Sequence, residues 1–209
     1  MFCSFKNLRY FTSMNTEISH SRFLAFDLEM TGLSPQHDSI IEIGAVPLLG
    51  LSLDGDYFFT SVQPYTNVRA SSKKIHGLDG DDLWDAPPAE IALPKFFEMM
   101  NGRVLIGQHP QLDLAFLWTA AKNIGGNIPF DWALDISKIF ARVYPDQRGF
   151  SLDSMAHRVG LARENEFHNA LGDAILVIEI FSRILPNLQR AGIHSTDDLI
   201  SIGRVKMKN

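Results

Sequence analysis

Two acids stand where an apolar strand has little room for one. The run Phe23 to Leu33, FLAFDLEMTGL, opens as a short stretch of strand-forming residues and carries Asp27 and Glu29 one residue apart inside it. Side chains alternate faces along a strand, so both carboxylates project from the same side. Adjacent carboxylates on an apolar strand repel each other and are costly to take out of water, which calls for positive charge beside them. Oxygen-only ligands favour a hard divalent cation, Mg2+ or Mn2+. Asp-x-Glu is also a common string, and two solvated acids at a strand end would satisfy it equally. The remainder of the chain separates the two readings.

The chain as a whole is acidic, with a net charge of −5. That argues against a broad basic surface for long duplex nucleic acid, but not against a site that grips a phosphate or two through bound metal. The 209 residues fit one ordinary domain with extra length at the ends. An apolar content of 45% with 21% charged residues describes a globular chain, not a disordered one. No run of 18 apolar residues exists, so no membrane association is expected. A single cysteine, Cys3, makes neither an internal disulfide nor a cysteine zinc site and points to a reducing compartment, the cytoplasm. Residues 1–21 differ in character from the rest of the chain. They lack the apolar core and the dense Arg pattern of a targeting peptide and read as a lead-in, with Met14 an alternative start. The expected organisation is this lead-in, a domain over residues 22–186, and a C-terminal helix and tail over 187–209.

Strands are expected at Arg22–Glu29, Ile40–Leu48 and Tyr57–Gln63, with Asp54-Gly55 as a hairpin turn between the last two. Short strands come next at Arg103–Gly107 and Trp132–Asp135. Residues 64–88 read as a solvated loop, whose acids lack the EF-hand spacing. Helices are expected at Ala89–Met100 (kinked at Pro94), Leu112–Ile124, Ile136–Val143, Leu152–Val159 and Ala170–Leu185, the last stopped by Pro186. Ser195 with Asp198 makes a capping box for a final short helix, Thr196–Ile202. Three sequential strands, then strands mixed with helices, indicate one α/β domain.

Two further acids fall on inward faces. Asp113 begins the helix in IGQHPQLDLAFL, where an acid also suits the helix dipole. Asp173 lies one turn inside the longest helix, in HNALGDA, close to its apolar stripe. His168 stands five residues earlier, about 140° away on an ideal helix. The two act together only if His168 lies in the loop before the helix, where a histidine is suited to take a proton near neutral pH.

The ordered set Asp-x-Glu, Asp, His-x4-Asp resembles the DnaQ-like, or DEDDh, 3′–5′ exonucleases, a family that includes proofreading subunits of DNA polymerases and several RNA-trimming enzymes. DLEMTGL with IIEIGAV is similar to the first family motif, LDLAFL to the second, HNALGDA to the third, and KIHGL (Lys74 to Leu78) to a recurrent segment between them. The resemblance implies a ribonuclease H-like α/β fold: a five-stranded mixed sheet, three antiparallel strands then two parallel ones, flanked by helices. It implies two divalent cations, Mg2+ or Mn2+, roughly 3.5–4 Å apart on the scissile phosphate. Asp27 would bridge them, Glu29 and Asp173 would hold the ion carrying the attacking water, Asp113 would hold the other, and His168 would deprotonate that water. The substrate would be a single-stranded DNA or RNA 3′ end, releasing nucleoside 5′-monophosphates.

Met30, Thr31, Gly32 and Leu33 would meet the terminal sugar and base, with Leu33 as an apolar wedge. His76 and Leu78 would line the same pocket, though His76 reads equally as a loop anchor. Relatives often carry Gly-His-Asn before the second motif; here Gly107, Gln108 and His109 stand there, with Leu112 where Phe is usual. His109 thus replaces an Asn that would contact substrate. DLEMTGL is also what oligoribonucleases carry, which makes cleavage of very short RNA the second reading. The IHGL loop and the short Ala170-Leu171-Gly172 spacing look more like the proofreading branch, which would add a polymerase or other protein as partner. A non-catalytic binding module on the same fold is the third reading, and the retention of all five residues weighs against it.

Overall fold

A computed structural model of the chain describes residues 15–128, 130–163 and 168–207. Most of the expected lead-in and the end of the basic tail, with Lys208, lie outside the described residues.

Among the described residues the sheet has seven strands, not five. They are β1 (Arg22–Met30), β2 (Ile40–Leu49), β3 (Ser52–Leu53), β4 (Phe58–Ser61), β5 (Val104–Gly107), β6 (Trp132–Asp135) and β7 (Arg204–Lys206). Their order is β3-β2-β1-β5-β6-β7, with β4 also on β2. β1 and β2 are antiparallel, while β5 and β6 run parallel to β1, so the five expected strands keep their expected directions. The extra two have local causes. The chain reverses at Gly50-Leu51, not at Asp54-Gly55, because Gly50 accepts a left-handed φ of 61° and lets Ser52 pair with Leu49. Asp54 ends the pairing, its N–H donating to the Pro47 carbonyl at 2.9 Å and its carboxylate held by Arg22 and Arg103 at 2.8 Å each. At the other end the basic tail supplies β7, which pairs antiparallel with β6.

The helices are α1 (Ala70–His76), α2 (Ala89–Met100), α3 (Gln111–Asn123), α4 (Ile136–Val143), α5 (Leu152–Arg158), α6 (Ala170–Arg190) and α7 (Thr196–Gly203). Two differ from expectation. α1 lies inside the segment read as loop. α6 passes through Pro186 and continues to Arg190, because Leu188 is fully buried and its packing outweighs the hydrogen bond that proline cannot make. The capping box of Ser195 and Asp198 forms as expected. No described helix is long and apolar enough to cross a membrane.

Strand alternation sorts the core. Phe23 and Ala25 join the cluster beneath α4, α5 and α6, whereas Leu24, Phe26 and Leu28 join the cluster beneath α2 and α3. Asp27 and Glu29 continue the first series, so they rise on the α6 face at the C-terminal end of β1. The crevice beyond the C-terminal ends of parallel strands is where open α/β sheets gather their functional groups.

Candidate active site

The N-terminus of α6 must come very close to β2 for Asp173 to meet β1. Gly44 permits this. It pairs across the ladder with Asp27, and a Cβ there would lie 2.2 Å from the backbone of Ala170 and Leu171. A glycine inside a strand signals such an approach, so IIEIGAV carried a sign of this contributor that motif reading passed over. Asn169 caps the helix, accepting the Gly172 N–H at 2.8 Å. The Ala170 N–H donates to Glu42 at 3.3 Å, which satisfies one of the helix's free donors with an acid paired opposite Glu29.

His168 lies ahead of the helix, as it must to meet Asp173. Its Nδ1 is 2.9 Å from Asp173 Oδ2. Its backbone N–H donates to the Ile75 carbonyl at 3.1 Å, so α1 holds the histidine in place. Glu29, His168 and Asp173 each offer a ligand atom within 4.8 Å of the others. Asp113 enters on the first turn of α3, buried like Glu29 and Asp173. The loop before it is fixed by Asp135, whose Oδ1 accepts from the N–H of His109 at 3.3 Å and of Ser137 at 2.9 Å. His109 itself is exposed and strained, with a φ of 49°.

The electrostatics arise from this crowding. Burial, then the charges of Asp113, Asp173 and Glu29, raise Asp27 well above the carboxylate range, with Arg163 opposing. Burial first, then Asp173, Glu42 and Asp113, push Glu29 up to about 8. Burial pushes Asp113 up to about 8 as well. Carboxylates that resist ionisation this strongly fit a divalent cation, because oxygen ligands with excess negative charge are its preferred donor set.

Stability should depend on pH accordingly. A carboxylate whose pKa is raised by folding contributes stability that is complete below its ordinary pKa, near 4, and is lost as pH rises through the folded value. In chelator, the melting temperature is therefore expected to fall by about 5 °C between pH 5 and pH 8.5. Mg2+ or Mn2+ should shrink that fall, since metal binding favours the deprotonated ligands. A flat profile in chelator by scanning calorimetry would contradict the charge-crowding account.

The expected substrate contacts divide. Leu33 is 77% exposed at the tip of its loop. Thr31 is buried, its hydroxyl accepting the Ser39 N–H at 2.8 Å and bonded to Thr66 at 3.0 Å, so its side chain braces the loop. Gly32 is buried against Asp38 and Arg69, and Met30 is half-buried at a register shift at the end of β1. His76 is buried, and its Nδ1 accepts the N–H of half-buried Leu78 at 3.1 Å, the geometry of a loop anchor. Arg163 is a participant that sequence reasoning missed. It reaches Asp173 and Asp153 from the loop before His168, and no periodicity or spacing marks it.

An exonuclease family model matches residues 24–181. The chain belongs to this exonuclease family. It is 34% identical to a DNA polymerase III PolC-type protein of Caldanaerobacter subterraneus subsp. tengcongensis, over 86% of this chain and 13% of that protein. It is likewise 34% identical to a DNA polymerase III subunit epsilon-like protein of Rhodobacter capsulatus, over 85% of this chain and 26% of the relative. A DNA polymerase III subunit epsilon of Aquifex aeolicus is 29% identical, and there the match spans 84% of this chain and 86% of the other. The chain thus covers about a quarter or less of the first two relatives and most of the third. Its fold is that of E. coli exonuclease I bound to single-stranded DNA (TM-score 0.74, 14% identity, 82% and 42% of the two chains). It is also that of the nuclease domain of 3′hExo, a DEDDh family member (TM-score 0.70, 21% identity, 82% and 95% of the two chains).

Proposed function

We propose that the chain is a metal-dependent 3′–5′ exonuclease on single-stranded nucleic acid, with DNA the favoured substrate. The observation that supports this reading is the crowding of acids from β1, α3 and α6, with Glu29 and Asp173 beside His168. Asp27, Glu29, Asp113 and Asp173 would hold two ions, Mg2+ or Mn2+. Once bound, such ions would polarise the scissile phosphate and lower the pKa of the attacking water, so that its deprotonation yields a hydroxide nucleophile. His168 acts on the proton. Its Nδ1 faces Asp173 at 2.9 Å, so the N–H of the neutral ring points to that carboxylate and Nε2 keeps the lone pair that accepts the water's proton. Leu33, exposed at its loop tip, wedges against the terminal base, and the backbone from Met30 to Gly32 meets the sugar. Leu78 and His109 border the strand, while His76 holds the loop.

The epsilon and PolC-type relatives favour a proofreading role with a polymerase partner in the cytoplasm. The DLEMTGL string favours the second reading, an oligoribonuclease-like activity on short RNA. Both are tested by offering 5′-labelled single-stranded DNA, long RNA and a dinucleotide with Mg2+, with and without chelator. The expected result is stepwise shortening from the 3′ end, fastest on long DNA, with nucleoside 5′-monophosphates released and no cleavage in chelator. Preference for the dinucleotide would move the assignment to the second reading, and no cleavage of any substrate would overturn the nuclease reading. His168→Gln is expected to slow the preferred reaction about 100-fold, because a positioned base contributes at least that much. An unchanged rate would remove His168 from the mechanism.

A further inference from the structure

Both carboxylate oxygens of Asp173 already have a protein partner. Its Oδ2 faces His168 Nδ1 at 2.9 Å, and its Oδ1 accepts a hydrogen bond from Arg163 Nη1. The Arg163 side chain is only 13% exposed, and its Nε donates to Asp153 Oδ1 at 2.9 Å. Its Nη2 is buried with no hydrogen-bond partner among the described residues. A buried guanidinium with one arm unsatisfied is held by charge and not by a complete set of bonds. A cavity of about 130 Å3 adjoins it, lined by Arg163, Asn169, Gly172, Ile175 and Glu179. The guanidinium therefore has a second place to go, with a third carboxylate, Glu179, on its lining.

We propose that Arg163 is a resident counter-cation that shares Asp173 with the metal site: an arriving divalent ion displaces the guanidinium into the neighbouring cavity, toward Glu179, and Arg163 thereby sets the metal concentration at which the site fills. This rests on the reading of Asp173 as a metal ligand. Arg163 is a positioning residue in this scheme. It neutralises one acid of a crowded cluster and yields that acid on demand, at a cost in metal affinity. A purely structural arginine predicts the opposite sign, since its loss would loosen the ligand cage and weaken binding.

The test is a Mn2+ titration of the full chain, monitored by the EPR signal of free Mn2+, for the parent, Arg163→Gln, Arg163→Lys and Arg158→Gln. Circular dichroism confirms the fold of each. Arg163→Gln is expected to bind Mn2+ about tenfold more tightly, the equivalent of one charge-assisted hydrogen bond no longer competing. Arg163→Lys, which keeps the charge but loses the fork between two carboxylates, should bind about threefold more tightly. It carries the test alone should the glutamine variant not fold. Arg158→Gln removes an equal charge from an exposed pair with Asp146 and should change affinity less than about twofold. Unchanged or weaker binding in the Arg163 variants would overturn the proposal, as would an equal gain in Arg158→Gln. Absence of Mn2+ binding in the parent would instead refute the metal reading itself.

Discussion

Asp27→Asn is expected to lower the rate of 3′-end hydrolysis by about 1,000-fold or more and, in chelator, to raise the melting temperature by about 3 °C at pH 8. The two effects have one cause. Asp27 is disfavoured as a carboxylate by burial and by Asp113, Asp173 and Glu29, so an uncharged replacement of the same shape relieves the folded chain. The same charge is what the proposed ions need, so its removal disables the site. Stability given up at a reactive centre is recovered when that centre is silenced. Exonuclease assays and thermal melts on one preparation check both halves. A variant that loses activity and also melts earlier in chelator would mean that Asp27 stabilises the fold, contrary to the charge account.

Gly44→Val is expected to cost about 4 kcal/mol, a fall of roughly 10 °C in melting temperature, and to leave about one thousandth of the activity in what remains folded. The new Cβ would stand 2.2 Å from the backbone of Ala170 and Leu171, where no flexible side-chain end can yield. The first turn of α6 would have to back away from β2, taking His168 and Asp173 off the Asp27 and Glu29 face. A displacement of about 1 Å is enough to cost 100-fold in a positioned site. Valine suits strands, so the local propensity runs the other way. Melting at the parent's temperature with full activity would show that α6 is not seated by this contact.

What could be read in the chain was whatever local pattern encodes. Asp27 and Glu29 declare a shared face through strand alternation, and Asp113 and Asp173 declare themselves as acids at helix starts beside apolar stripes. The offset of five residues from His168 to Asp173 required the histidine to precede the helix, where it is found. What stayed hidden depends on neighbours distant in sequence. α1 has no apolar stripe; it buries Ser72 and His76 and holds His168 through a backbone carbonyl. β7 is three residues whose strand character comes from the open edge of β6. α6 survives Pro186 only because Leu188 finds the core. Arg163 is a loop cation whose role exists only once Asp153 and Asp173 lie on either side of it. Gly44 is the instructive miss, since a glycine amid IIEIGAV was itself the sign of a close backbone approach.

At the centre stands one claim: the carboxylates of Asp27, Glu29, Asp113 and Asp173 hold divalent ions together beside His168. Anomalous diffraction from crystals soaked in Mn2+ examines that directly. Two manganese peaks roughly 3.5–4 Å apart, within bonding distance of those carboxylates, are the predicted result. Well-ordered carboxylates with no anomalous peak among them, at manganese concentrations that support cleavage in solution, would contradict it.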